Sequence, residues 1–261
     1  MSDAPIRLHI HESTATIVLN RPDKRNALSR EMLAELSQAF SDLHQERRVR
    51  AVILTGSGTA FCAGMDLGEM LDVFGTPQAY ATWQSDALAY RDLVQQMLIF
   101  PKPIIAAVNG AALAGGAGLV LASDIVLAAE GASFGLPEPR RGIVAGLVAP
   151  LLAFRVGGGP AGFLMLTAAP IFATEALRLA LFHEVVHPDH LWPRAKEIAT
   201  ACAESAPEAI QLTKRMLNET VGEQLNMLLS AGAAVSATSR TTEAAREGLV
   251  AFREKRAPKW M

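Results

Sequence analysis

The strongest constraint on this chain is a set of short strands that have no polar face. Ala51–Thr55 reads Ala-Val-Ile-Leu-Thr, Ile104–Val108 reads Ile-Ile-Ala-Ala-Val and Ile125–Ala128 reads Ile-Val-Leu-Ala. A strand with one wet face alternates apolar and polar residues; a strand covered on both faces does not, and such strands belong to parallel sheets flanked by helices. Helical patterns do lie between these segments. Ser29 is a suitable N-cap for a helix from Arg30 to about Gln45 that sets Met32, Leu33, Leu36, Phe40 and Leu43 on one face. Another is expected over Pro77 to Ile99, carrying Trp83, Leu88, Leu93 and Met97, and a third over Gly116–Ser123. The recurring unit of strand, helix and strand makes the fold class α/β. Arg7–Ile10 and Ala15–Leu19 read as an opening hairpin about a His11-Glu12-Ser13 turn.

Two of the apolar runs end in glycine turns that carry chemistry. The first is Phe61-Cys62-Ala63-Gly64-Met65-Asp66-Leu67. The second runs from Val108-Asn109-Gly110 through Leu113-Ala114-Gly115-Gly116-Ala117-Gly118 to Phe134-Gly135-Leu136-Pro137-Glu138. A glycine turn after a strand can offer bare backbone N–H groups, and Glu138 supplies one carboxylate between two prolines. Two converging N–H donors and one positioned acid/base are the equipment of enolate chemistry.

Other features take plainer readings. With 50% hydrophobic and 19% charged residues over 261 positions, a large core is easily buried. The net charge of -2 and the lack of a basic stripe with interleaved aromatics argue against nucleic acid, and Arg47-Arg48-Val49-Arg50 reads as a solvated connection. Cys62 and Cys202 make no disulfide framework, which suits a reducing compartment. The start, Met1 to Pro5, has no apolar segment behind it, and Ala111–Ala122 and Ile143–Phe154 are too short to span a bilayer. A soluble, cytoplasmic protein without a membrane partner is expected. Cys62 has no histidine placed to activate it and reads as a packed hydrophobe. His183, His187 and His190 straddle a strand-like Glu184-Val185-Val186 without ligand geometry, so no metal site is assigned. Gly157-Gly158-Gly159-Pro160 lacks the lysine of a phosphate loop, and Asp124 is expected to satisfy buried backbone.

Taken together, Asn20-Arg21-Pro22, Arg25-Asn26-Ala27-Leu28, the Phe61–Leu67 turn, Lys102-Pro103, Gly115-Gly116, Ser123-Asp124 and Phe134–Glu138 resemble the enoyl-CoA hydratase/isomerase (crotonase) family. The resemblance covers almost the whole chain and extends to a C-terminal Ala251–Arg256 helix. It implies a crotonase-like spiral of ββα units followed by C-terminal helices, acyl-CoA thioester substrates, no separate cofactor because coenzyme A is part of the substrate, and a homotrimer or hexamer. It implies catalytic roles for Met65 and Gly115, whose backbone N–H groups would form an oxyanion hole, and for Glu138 as general acid/base. Substrate contacts are implied for Arg25, Asn26, Ala27, Ala63, Asp66, Leu67, Gly116, Gly118, Leu136, Phe252 and Lys255.

One departure matters. Where hydratases of this family carry a first glutamate, three residues after Gly115, this chain has Gly118. Two carboxylates suit addition of water, whereas one suffices for a suprafacial 1,3 proton shift, so the lone Glu138 favours double-bond isomerisation of an enoyl-CoA. A side chain at residue 118 is expected to face the same cavity as Glu138. Hydration by Glu138 alone, a thioesterase or decarboxylase on the same fold, and a non-catalytic acyl-CoA-binding protein are the alternatives. After a soft boundary near Ala195–Ser205 the composition turns helical, over Pro207–Thr220, Glu223–Ser239 and Thr242–Arg256. This divides the chain into a core over 1–200 and a helical oligomerisation region over 201–261, where Ile210, Leu212, Met216, Leu217, Leu225, Met227, Leu228 and Leu229 cover more than one helix face.

Overall fold

A computed structural model describes residues 4–222 and 224–260. The chain opens with β1 (Ile6–His11), β2 (Thr14–Leu19), α1 (Arg30–Gln45), β3 (Ala51–Gly56), β4 (Ala60–Cys62), α2 (Leu67–Asp72) and α3 (Ala79–Ile99). Next come β5 (Ile104–Val108), β6 (Ala111–Leu113), α4 (Gly115–Ala122), β7 (Ile125–Ala129), β8 (Ser133–Gly135), α5 (Val148–Val156) and α6 (Gly158–Thr167). The remainder is β9 (Ile171–Phe172), α7 (Ala173–Arg178), β10 (Glu184–Val186), α8 (Leu191–Ala203), α9 (Pro207–Arg215), α10 (Leu225–Ser239) and α11 (Glu243–Arg253). Glu223, where a helix was expected to begin, lies outside the described residues.

Successive strands go to different sheets. β3, β5 and β7 build a six-stranded sheet in the order β1-β2-β3-β5-β7-β10, and β4, β6 and β8 build a four-stranded sheet in the order β4-β6-β8-β9. All pairs are parallel except the β1–β2 hairpin and the β8–β9 edge. The chain therefore winds as a spiral of ββα turns.

The strands without a polar face are covered on both sides. Val52, Leu54, Ile104, Ala106 and Val108 pack into the main core with α1, α3 and α4. Their neighbours Ala51, Ile53, Ile105, Ala107 and Leu127 meet Leu191, Ala195 and Ala199 of α8. The hairpin is tighter than expected: the strands run to His11 and from Thr14, so Glu12, in the left-handed region at φ 54°, and Ser13 make the turn. Ser29 caps α1, its hydroxyl accepting the Met32 N–H at 3.2 Å.

The helices after α8 are fastened back onto this core. Asp124 Oδ2 accepts the Ile104 N–H at 2.8 Å and also Lys214 Nζ of α9 at 2.7 Å. Lys214 is buried, so removing Asp124 would strand a buried charge, at a cost of about 3–5 kcal/mol. α10 crosses α3 and α5, and α11 lies on α2 and on the turn at Glu138–Arg141. The crossings depend on missing side chains: a Cβ on Gly146 would meet the Gly232 carbonyl of α10, and one on Gly142 would meet the Ala244 carbonyl of α11. Among the described residues no helix is long and apolar enough to cross a membrane.

Candidate active site

The two glycine turns meet at one point. After β4 the chain turns at Gly64, with φ 94°, and after β6 at Ala114, with φ 52° and ψ -125°. A Cβ on Gly64 would lie 2.6 Å from Ala114 Cβ and 3.1 Å from the Gly115 nitrogen, so both conformation and space require glycine. Ala114 has a side chain in a region that disfavours one, a local strain of about 1–3 kcal/mol.

This crossing brings Met65 and Gly115 to the wall of one cavity. Leu28 donates to the Gly64 carbonyl at 2.8 Å and accepts the Asp66 N–H at 2.9 Å. In that bridge Met65 is the residue opposite Leu28, so its own N–H turns to the other edge, where Met65 lines the cavity. Gly115 opens α4, where the first N–H groups have no intrahelical acceptor and the helix dipole is positive.

Tyr90 of α3 closes the space behind this pair. Its hydroxyl donates to the Gly115 carbonyl at 2.5 Å and is buried. Burial, followed by the proximity of Cys62 and Glu138, raises its pKa well above the usual phenol range, so it is a neutral donor. A Cβ on Gly118 would overlap the Tyr90 hydroxyl and sit 3.2 Å from Cζ. The expectation that a residue-118 side chain would face the same cavity as Glu138 is therefore corrected: Gly118 does not line that cavity, and Tyr90 stands in the space its side chain would take.

Glu138 stands opposite. Pro137 and Pro139 flank it at the start of a short 3-10 turn, Glu138–Arg141, which closes when the left-handed Gly142 (φ 68°) returns its N–H to the Glu138 and Pro139 carbonyls. The side chain is 7% exposed and its Oε2 has no hydrogen-bond partner among the described residues. Burial pushes its pKa from 4.5 up to about 7, against a small downward pull from a backbone hydrogen bond.

These groups line one cavity of about 480 Å³. Lys24 and Arg25, both exposed, stand at one part of its wall, with Phe252 of α11 under the Arg141 guanidinium at 4.8 Å from the ring centre. Asp66 is held by Arg21 at 2.9 Å, and Asp86 by Arg30 through two bonds of 2.7 and 2.8 Å. Arg240 and Ser236 of α10 complete the wall near Asp86.

The chain matches the family model described as enoyl-CoA hydratase/isomerase over residues 9–261. It is 40% identical over 248 residues to a putative enoyl-CoA hydratase of Thermus thermophilus, covering 94% of this chain and 96% of that protein. It is 35% identical over 244 residues to the short-chain-enoyl-CoA hydratase of Clostridium acetobutylicum, covering 93% and 92%. A solved enoyl-CoA hydratase/isomerase from Xanthobacter autotrophicus Py2 superposes with a TM-score of 0.89 at 31% identity, covering 97% of this chain and 94% of that one. The chain belongs to the enoyl-CoA hydratase/isomerase family.

Within this family member, the residues singled out from the sequence divide in two. Met65, Gly115, Glu138, Arg25, Ala27, Ala63, Asp66, Leu67 and Phe252 all line the cavity. Asn26, Gly116, Gly118, Leu136 and Lys255 do not. Asn26 is fully buried and holds its turn, donating to the Ser57 and Ala60 carbonyls at 2.9 and 2.8 Å and accepting from Arg21 N at 2.9 Å. Gly116 lets α4 approach β4, since a Cβ there would strike the Cys62 carbonyl. Leu136 is core, and Lys255, exposed in the left-handed region at φ 55°, follows the end of α11.

Cys62 is buried with its thiol pushed up to about 12, which suits the packed, unreactive reading. His183 accepts the Val126 N–H at 2.9 Å through Nδ1. Sequence reasoning missed Tyr90, Asp86, Arg141, Ser236 and Arg240. Tyr90, Asp86, Ser236 and Arg240 are ordinary polar residues within or beside a long helix, without glycine or proline signals to mark them. Arg141, although beside Gly142, was passed over for Glu138 in the same turn.

Proposed function

We propose that this protein moves the double bond of an enoyl-CoA between positions 3 and 2, with Glu138 as its only base. The observation carrying this reading is that Glu138 is the one buried carboxyl of the cavity without a cation partner among the described residues. The thioester oxygen sits between the Met65 and Gly115 N–H groups, where the negative charge of an enolate develops. Ionised Glu138 removes a proton from C2 of a 3-enoyl-CoA, the electron pair delocalises into a dienolate, and the same carboxyl returns the proton at C4. The balance closes without water or an oxidant. A group near pH 7 is suited to both halves of this exchange. Lys24 and Arg25 are placed to meet coenzyme A phosphates, and Ala63, Asp66 and Leu67 to flank the thioester arm.

Hydration of a 2-enoyl-CoA is the second reading, favoured by relatives named as hydratases. It would need Glu138 to handle both protons, because neutral Tyr90 cannot act as a base. Ultraviolet absorbance separates the two: a 3-enoyl-CoA gains the conjugated band under isomerisation, and a 2-enoyl-CoA loses it under hydration. Rapid loss from the 2-enoyl ester with no gain from the 3-enoyl ester would overturn the isomerase reading.

The chain is further proposed to act as a homotrimer or hexamer, with 201–261 contributing to the interfaces. Leu225 and Leu229 are core, whereas Leu212, Met216, Leu217, Met227 and Leu228 are exposed, as are Phe163, Leu166 and Phe172. Apolar surface of this extent is ordinarily covered by a partner.

A further inference from the structure

Arg240 is a buried cation on the cavity wall that makes no ion pair among the described residues. It is 4% exposed, its Nε has no hydrogen-bond partner among the described residues, and its guanidinium makes one long bond, Nη1 to the Trp83 carbonyl at 3.5 Å. Asp86 acts on it only through space, because both oxygens of that carboxylate are engaged by Arg30. The guanidinium of Arg240 therefore keeps donors without a carboxylate hydrogen bond among the described residues. Arg240 is pushed down to about 10, mainly by burial, and so remains cationic at neutral pH. Ser236 lies in the last turn of α10, four residues before Arg240 at its C-cap, and both line the cavity.

The position relative to the reacting centre follows from α3. Tyr90 reaches the Gly115 carbonyl, Asp86 is one turn earlier and Trp83 nearly a further turn. Arg240 thus lies about 6–10 Å along the helix from the oxyanion turn, the reach of a short acyl chain.

We propose that Arg240, with Ser236, forms a site for a terminal carboxylate, so that the preferred substrates are short acyl-CoA thioesters whose acyl chain ends in an acid. The proposal rests on the acyl-CoA reading above and names the acyl class. Folding has already removed this guanidinium from water, so a carboxylate arriving there meets a preorganised donor. A methyl terminus would leave the Nε–H unpaired beside apolar surface, which disfavours neutral chains.

The test is calorimetric binding of four saturated, unreactive esters: glutaryl-CoA and adipyl-CoA against pentanoyl-CoA and hexanoyl-CoA. The wild type is expected to bind the better acid-ended ester about ten- to a hundredfold more tightly than its methyl-ended counterpart. Arg240→Met should abolish that preference and Arg240→Lys should keep part of it. Equal or better binding of the methyl-ended esters by the wild type overturns the proposal, even if neither variant folds. So does an Arg240→Met variant that weakens both series alike. Because these probes cannot react, a carboxylate preference without enoyl-CoA turnover keeps the anion site and overturns the activity. Turnover without the preference does the reverse.

Discussion

The hydroxyl of Tyr90 occupies the volume that a side chain on Gly118 would fill. Two residues far apart in sequence therefore form one unit, in which absence of a Cβ on α4 makes room for a phenol from α3. A single methyl at Gly118 is expected to cost about 1–3 kcal/mol through overpacking. In a Tyr90→Phe background the nearest atoms are the ring carbon and Val148 Cγ2, both at 3.2 Å, and Gly118→Ala should then cost less. Urea denaturation of the four proteins of this cycle measures the coupling; equal costs in both backgrounds would show that the two sites do not share the space.

Glu138 links activity and stability to pH in opposite senses. As the base it must be ionised, so kcat/KM should rise with pH toward about 7 and level off above it. Its folded pKa lies above the 4.5 of an ordinary glutamate, so its contribution to stability is full below 4.5 and is lost as pH rises through about 7. Glu138→Gln should reduce kcat about a hundred- to ten-thousandfold while retaining acyl-CoA binding. Its stability relative to wild type should improve by about 3 kcal/mol between the two ends of that window. Near-normal turnover by the Gln variant would remove Glu138 from the chemistry.

The two proposed hole donors differ in how they respond to substitution. Gly115→Pro deletes an N–H, and loss of one such donor costs about 3–4 kcal/mol at the transition state, a hundredfold or more in kcat. Met65→Ala keeps its N–H and trims only a cavity side chain, so its effect should be mild. Circular dichroism checks that both variants are folded. A larger loss from the Met65 change than from the Gly115 change would reverse the assignment.

Light scattering at micromolar concentration should give three or six times the mass of the chain. Leu166 and Phe172, 87% and 75% exposed, are the sharpest probes of the covered surface. Leu166→Glu should shift the distribution toward smaller species with little loss of monomer stability, because the side chain touches little of its own core. A monomeric wild type would contradict the proposed assembly.

Much of the fold was legible because it depends on local pattern. Strands such as Ile104–Val108 advertise burial on both faces, and Gly64 marks a turn whose left-handed backbone and close approach require glycine. The cavity wall was legible at Met65, Gly115 and the proline-flanked Glu138, which turn motifs mark and which all line it. It was not legible where a side chain arrives from a distant helix. Tyr90 sits in α3 and Arg240 just past the end of α10, and their meaning depends on which element each helix crosses. Asn26 was misplaced for a related reason: its left-handed turn chemistry is real, but its amide is spent on the Ser57 and Ala60 carbonyls.

The seating of α11 on the Glu138 turn also bears on when the cavity is completed during synthesis. The turn closes through Gly142 against Ala244, and Gly248 of α11 rides on Arg141. A nascent chain could lay down both sheets and cross Gly64 over Ala114, yet the Glu138–Arg141 turn would still lack the backbone at Ala244 and Gly248 against which Gly142 and Arg141 pack. The seating of this turn thus has to wait for a helix made long after the turn itself. That part of the cavity wall would be completed late, rather than built up with the sheets.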